Sequence, residues 1–223
     1  IGGLFYDLPI GFEQRCSEFL IQFKPKMREL DELLTNNSIF ISRTQNIGVL
    51  PLDVAINYGC SGPMLRGSGI NYDLRRIDGY SVYPELDFEI PIGAGKMGTT
   101  GDCWDRFDVR VREISESIKI AEQCIERLTK ELKRSPEFDP RAKLPKKLIP
   151  KAQEFYCRGE MPKGELGYYF IADGKSDKPF RCKARAASFS NLSVLPELAK
   201  GAMIADLIAI LGSIDIVLGE VDR

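Results

Sequence analysis

Apolar and charged positions alternate along the first segment of the chain with a helical period. In "DLPIGFEQRCSEFLIQFKPKMRELDELLTNN", Phe12, Cys16, Phe19, Leu20 and Phe23 share one face. Pro25 is expected to interrupt this helix, because its ring removes a backbone donor and crowds the preceding turn. Met27, Leu30, Leu33 and Leu34 resume the pattern, and Asn36–Asn37 end it. "LPLDVAINYG" predicts a short helix with Asp53 in its first turn and Gly59 at its end. "CSGPMLRGSGINYDLRR" breaks the periodicity. Its glycines and serines predict a loop whose backbone approaches something closely, and it carries Arg66, Arg75 and Arg76.

The strongest period lies in "GDCWDRFDVRVREISESIKIAEQCIERLTKELKRS". Trp104, Phe107, Val111, Ile114, Ile118, Ala121, Ile125, Leu128 and Leu132 recur at alternating spacings of three and four. Asp102 is placed to cap the helix, with Asp105 in the first turn and Lys133–Arg134 in the last. This predicts a long helix packed along one seam of a bundle, its other face solvated. "SPEFDPRAKLPKKLIPK" reads as a Pro- and Lys-rich connector. "GELGYYFIADG" and "KPFRCKARAASF" read as two strands of a hairpin around "GKSD". "NLSVLPELAKG" and "AMIADLIAILGSIDIVL" return to helix, the second too short and too acidic to span a bilayer. The expected class is mainly α with a small β-hairpin or sheet (α+β), in one structural domain. Its parts are a helical bundle over 1–135 with a Gly-rich loop at 59–69, a connector over 136–163, and a hairpin with C-terminal helices over 164–223.

Composition narrows the chemistry. Thirty-one Lys and Arg against 32 Asp and Glu leave no basic excess, which excludes a nucleic-acid footprint. Cys16, Cys60, Cys103, Cys124, Cys157 and Cys182 are scattered singly, with no C-x-x-C, so metal-knuckle spacing is absent and a reduced compartment is expected. There is no histidine. That removes the usual neutral-pH base and the commonest metal ligand, leaving carboxylates, Tyr, Lys and Arg or groups from another chain. The segment opening at Ile1 has neither a charged leader nor a long apolar stretch and reads as the interior of a longer chain.

"GAGKMG", Gly93 to Gly98, matches G-x-G-x-x-G, but "TTGD" separates it from the helix that should open inside the motif. It also lacks the G-K-[ST] ending of a P-loop, so it does not read as a nucleotide site. "SGPMLRGSG" leaves two readings open: a tight turn closing two helices, or a loop whose arginine and amides face a charged partner or cofactor. Asp206 and Asp215 inside the last apolar segment pose a similar choice, since a buried carboxylate is either tied to an arginine or poised for proton transfer.

Longer stretches carry a resemblance. "LLTNN.IF", "AINYG.SGPMLRGSGINYDLR", "GDCWDRF.VRVRE", "GELGYYF", "KPFRCKARA.SFSNL" and "KGAMIADLIAILGSIDIVLGEVDR" resemble the D-subunit (49-kilodalton-type) family of NADH:quinone oxidoreductase, respiratory complex I. The match runs over the whole chain and over roughly the C-terminal half of that family's length. The family is related to the large subunit of nickel-iron hydrogenases, so the resemblance implies that helical-bundle architecture. Hydrogenase large subunits end in D-P-C-x-x-C-x-x-H. Laid on it, "DIVLGEVDR" keeps Asp215, puts Ile216 for Pro, Val217 and Glu220 for the two cysteines, and Arg223 for His. A valine and a carboxylate do not replace bridging thiolates for nickel and iron. The metal site is then lost, and no iron–sulfur cluster belongs to this chain.

In the family the vacated cavity receives the head of ubiquinone or menaquinone, shared with the cluster-bearing B subunit. The resemblance implies that Val221, Val217, Asp215, Glu220 and Arg223 line the quinone chamber and that Asp206 and Asp215 relay protons. It also implies that Arg66, Gly67, Ser68 and Gly69 form a loop facing the partner and its cluster. Implied partners are the B subunit, the C subunit and the membrane-embedded H subunit, in a peripheral arm on the cytoplasmic or matrix side of the energy-transducing membrane. The implied activity belongs to the whole enzyme: electron transfer from the terminal iron–sulfur cluster to quinone, coupled to proton translocation. The family's quinone-ligating His and Tyr lie outside the matched half, so the isolated chain is expected to be inactive. The electron donor, whether NADH, ferredoxin or a deazaflavin, enters elsewhere. A membrane-bound hydrogenase and a non-catalytic scaffold are the alternatives of different class.

Overall fold

The computed structural model describes residues 8–131 and 148–222. Helix α1 (Phe12–Leu30) runs straight through Pro25, contrary to the expected break. The carbonyl freed by the missing donor is that of Ile21, an exposed residue. A π-helical turn at Asp31–Thr35 follows. Asn37 stops it and starts α2 (Ser38–Ser42), its side-chain oxygen accepting from the amides of Ile39 and Phe40.

The short helix expected after Leu50 forms as α3 (Leu52–Asn57), with Gly59 at φ 66° beyond its end. The Gly-rich segment is not one loop. It contains α4 (Pro63–Gly67) and α5 (Leu74–Ile77), the first opened by a proline at its N-terminus and the second capped by Asp73. "DFEIPI", residues 87–92, forms neither helix nor strand.

Helix α6 (Cys103–Glu131) is the long element. Asp102 caps it, accepting from the Asp105 amide at 2.8 Å. Its seam is buried unevenly. Trp104 and Val109 at the N-terminal end are fully buried, whereas Phe107, Val111 and Ile114 are half-buried. The reason is where neighbours lie: the core gathers Leu50, Ala55, Met64, Leu65, Cys103, Val194, Leu198, Ile210 and Ile214 around the first turns of α6. Further along it is flanked by α1, with Lys24 bridged to Glu122 at 2.6 Å, and by the 85–89 segment, whose Asp87 and Glu89 amides donate to Gln123 and Glu116. Lys133, Arg134 and Leu132 lie outside the described residues.

The sheet has three antiparallel strands in the order β1 (Gln153–Met161), β2 (Gly164–Ala172), β3 (Arg181–Arg185). The β2–β3 hairpin is the expected one, with Tyr169 opposite Lys183. Strand β1 falls where composition placed connector; Phe155 and Tyr156 alternate there opposite Phe170 and Tyr169, which gives it a pairing surface. After β3 come α7 (Ala187–Ser193), α8 (Leu195–Leu198), α9 (Ile204–Ile214) and α10 (Leu218–Val221). The architecture is mainly α with one small sheet. Among the described residues no helix is long and apolar enough to cross a membrane.

Two close approaches seat the β1–β2 turn on the helices. Gly62 and Gly164 touch backbone to backbone, so that a Cβ on Gly62 would stand 2.5 Å from the Gly164 Cα. Buried Asn191 of α7 then donates to the carbonyls of Lys163 (3.0 Å) and Ser61 (3.4 Å) and accepts from the Ser61 amide (3.1 Å). This fixes the turn carrying Glu160 and Lys163, and with it one wall of the site.

Candidate functional site

Helix α9 buries Ile210 and Ile214 and stops at Asp215, which adopts φ 59°, ψ 56°. An L-residue pays roughly 1–2 kcal/mol for that left-handed conformation, and Asp is among the few that take it. The bend turns its carboxylate away from the helix. Lys163 from the β1–β2 turn donates to Oδ2, and the Arg110 guanidinium of α6 lies 3.4 Å from the same oxygen. Arg110 also donates to the carbonyls of Arg106 (2.9 Å) and Ile214 (3.2 Å). The atom nearest Asp215 is its buried Nε, ion-paired at 3.4 Å without hydrogen-bond geometry. Burial pushes the Arg110 pKa down to about 10, against the opposing pull of Asp215.

Past Asp215 the chain is strapped to α7. The Val217 amide donates to the Ser188 hydroxyl at 3.1 Å, and the Ser188 amide donates to Glu220 Oε2 at 3.1 Å. A carboxylate at that helix start also meets the positive end of the backbone dipoles. Val217 and Leu218 are exposed and Val221 is half-buried. Arg223 lies outside the described residues.

Asp215 and Arg110 line two cavities. The first, about 370 Å³, is the more polar of the two: Arg66, Arg75, Arg110 and Lys163 line it together with Glu113, Glu160 and Asp215. The second, about 360 Å³, is mostly apolar, bounded by Phe40, Phe107, Cys103, Ala209 and Gly212 with Arg43 at its rim. Val217, Glu220 and Val221 line neither of these two. The structure thus separates the expected tail residues: Asp215 reaches the cavities, while Val217 and Glu220 fasten the tail.

Asp206 is tied to an arginine. It is buried, pairs with Arg43 at 2.9 Å, and accepts from the Met203 amide at 3.3 Å as part of the α9 N-terminal cap. Arg66, Gly67 and Ser68 are buried within this chain, and Gly69 is half-buried at φ 91°. Gly67 packs against Arg106, and the Ser68 hydroxyl donates to the Leu50 carbonyl at 2.8 Å. Arg66 bonds Glu113 and Glu160, each at 2.7 Å, and the Tyr72 carbonyl at 3.0 Å, with Asp73 at 3.4 Å. Burial alone would lower its pKa; Glu113, Glu160 and Asp73 outweigh that and raise it. The "GAGKMG" amides are likewise spent internally. Gly93 donates to the Arg66 carbonyl at 2.9 Å and Gly95 to Asp105 at 2.9 Å.

Residue reasoning missed Arg110, Glu113, Glu160 and Lys163. A signal existed: Arg106, Arg110, Glu113 and Ser117 recur at spacings of four, three and four, a polar stripe beside the apolar seam of one helix. Arg106, at the deep end of that stripe, is fully buried and donates to Ser213, Gly48 and Gly101, and burial lowers its pKa.

The sequence profile of the family described as respiratory-chain NADH dehydrogenase, 49 Kd subunit, matches residues 1–223. The chain belongs to that family. Curated relatives share it at full length: it is 63% identical over 223 residues to the D 1 subunit of NADH-quinone oxidoreductase from Cytophaga hutchinsonii. It is 62% identical over 223 residues to the NADH-quinone oxidoreductase D subunit of Amoebophilus asiaticus. Against the D subunit of Chlorobaculum tepidum the identity is 58%, again over the whole chain. The chain spans little more than half of those relatives, 57% of the first and 55% of the other two.

Proposed function

We propose that this chain forms part of the quinone-reducing module of a proton-translocating NADH:quinone oxidoreductase. The match to D-subunit relatives along all 223 residues carries that reading. The chain takes up no electrons from NADH itself. It supplies one wall of a chamber, shared with a cluster-bearing B subunit, in which ubiquinone or menaquinone accepts electrons and then protons. The C subunit and the membrane-embedded H subunit are the further partners, in a peripheral arm on the cytoplasmic or matrix side. Val221, Val217, Glu220 and Arg223 belong to the chamber end of the tail. Asp215 stands at its inner edge, where the polar and apolar cavities meet.

The chemistry available at that edge is proton handling. There the Asp215 carboxylate is held between Lys163 and Arg110, at the edge of both cavities. Asp206 is engaged by Arg43 and the α9 cap, so within the proposed relay it acts by holding the helix that presents Asp215.

The test is made on the complex purified from its membrane and returned to vesicles. Co-purification of the chain with the B, C and H subunits, together with inhibitor-sensitive quinone reduction, is expected. Val221→Met should shift inhibitor sensitivity, and Asp215→Asn should lower quinone reduction or proton pumping. A chain that purifies alone, from membranes whose quinone reductase persists without it, refutes the assignment. Asp215→Asn with both activities intact refutes the relay.

A further inference from the structure

The polar cavity joins two charge clusters of opposite sign. At one end lie Asp73, Glu113 and Glu160 with Arg66 and Arg75, three carboxylates against two guanidiniums. The Arg66, Asp73 and Glu160 side chains are 2%, 0% and 4% exposed and those of Glu113 and Arg75 are 18% and 16%, so the inner part of this cluster is shielded from water. At the other end Lys163 and Arg110 share the single carboxylate of Asp215, an excess of one positive charge. One short turn bridges them, since Glu160 at the end of β1 reaches Arg66 while Lys163 reaches Asp215.

An uncompensated buried charge is costly, and the economical remedy is a bound proton. Glu160 is the group placed to take it. The charged groups facing it are Arg66 of α4, Asp73 and Arg75 at α5, and Glu113 of α6, with the Leu74 amide donating to its Oε2 at 3.2 Å. Burial is the largest influence on its carboxyl and raises its pKa; Arg66 opposes that and Asp73 adds to it. A cavity of about 370 Å³ with charged walls has room for on the order of ten waters at liquid density. Arg110 Nε, buried beside it, stands 3.4 Å from Asp215 Oδ2 without hydrogen-bond geometry, close enough to the carboxylate to hold the positive end of the cavity together.

We infer that Glu160 is the proton-holding group of the Arg66 cluster, and that the cavity delivers this proton to Asp215 through water. This rests on the reading of Asp215 as a relay and extends it inward. The step moves one proton and no electrons. Glu160 passes from acid to carboxylate, the Arg66 cluster passes from neutral to one net negative charge, and that charge then faces the positive end across the cavity. Storage sits at Glu160 and transit at Asp215. Reprotonation of Glu160 from the medium resets the cluster.

The experiment uses the whole membrane complex carrying substitutions in this chain, with quinone reduction measured against pH. Glu160→Gln should lower the rate at least about tenfold, the small end of what a positioned proton donor supplies. It should also abolish the alkaline limb, the fall in rate as the donor loses its proton. KM for quinone should stay within twofold, and Glu160→Asp should restore a limb displaced in pH. Ile114→Phe narrows the cavity without touching a charge and should lower the rate similarly; it decides the matter if the Glu160→Gln complex does not assemble. Wild-type rates and limb in both variants overturn the inference. So does a loss in Glu160→Gln beside an unaffected Asp215→Asn, which cuts the link between the two. An impaired Asp215→Asn with wild-type-like Glu160→Gln and Ile114→Phe removes this inference and leaves the relay at Asp215 standing.

Discussion

Replacing Arg66 by Met tests the buried cluster through stability. The guanidinium makes two charge-assisted hydrogen bonds at 2.7 Å, to Glu113 and Glu160, and one to the Tyr72 carbonyl at 3.0 Å. Bonds to charged groups are worth about 1.5–3 kcal/mol each, so the gross loss is about 4–7 kcal/mol. Methionine fills much of the volume and removes the cost of burying Arg66. The remaining penalty is the stranding of three carboxylates with Arg75 alone, and breaking a buried pair in this way costs about 3–5 kcal/mol. At a typical urea dependence of about 2 kcal/mol per molar, the unfolding midpoint should fall by about 2 M.

The pH dependence carries the sign. A carboxyl whose folded pKa stands above its unfolded value makes the folded state bind more protons. Its favourable contribution is complete below the unfolded pKa and is lost as pH rises through the folded one. Glu160 already behaves this way in the native protein, its pKa raised by burial first and by Asp73 in addition. Without Arg66 the rise is larger. The Arg66→Met deficit should therefore shrink as the buffer is made acidic and grow through neutral pH. Urea titrations monitored by circular dichroism at several pH values read it directly. In Arg66→Met/Glu160→Gln the two changes should combine to less than their sum, since one stranded charge has been removed. A deficit below about 1 kcal/mol, or one independent of pH, would mean that the cluster is solvated and the argument for a stored proton fails.

Two further outcomes follow from packing. Gly93→Ala drives a Cβ into the Gly67 carbonyl oxygen and leaves it 2.8 Å from Asp105, so it should cost about 1–3 kcal/mol in urea unfolding; an unchanged midpoint would show that the "GAGKMG" turn does not sit on α4. Iodoacetamide at pH 8 should label the exposed Cys157 and Cys182 and spare buried Cys60, whose thiol burial pushes up to about 11; labelling of Cys60 in the folded protein, read by peptide mass spectrometry, would contradict its burial.

The periodic elements were legible because their rules are local. The spacing of Trp104 to Leu128 and the cap at Asp102 place α6, and "GKSD" places the β2–β3 turn. Pro25 misled because an interior proline is costly but not prohibitive, and here the helix continues through it with the freed Ile21 carbonyl on an exposed turn. Strand β1 was hidden because its partner lies across a turn that composition marks as connector. For the site, Val217 and Glu220 drew notice only through the resemblance of the tail, and the cavity could not be read at all. It depends on which residues of α4, α6 and the β1–β2 turn meet in space. Glu160 and Arg66 are 94 positions apart and share a hydrogen bond.

The charged tail has two parts with different physical work. Residues Val217 to Glu220 spend their polar groups on Ser188, which anchors α10 to the start of α7. Asp215 spends its carboxylate on two cations from elements far apart in sequence, Arg110 of α6 and Lys163 of the β1–β2 turn. Its left-handed backbone is what separates the two tasks. Were α9 to continue helically through Asp215, the tail would carry on along the helix axis and not fold back to Ser188. The strain at φ 59° is small beside the anchoring on either side of it, which holds the bend. The bend then leaves the Asp215 carboxylate at the meeting point of a polar and an apolar cavity. On the proposed relay both surroundings are useful at once: water on the side the proton comes from, and little water on the side where it is delivered.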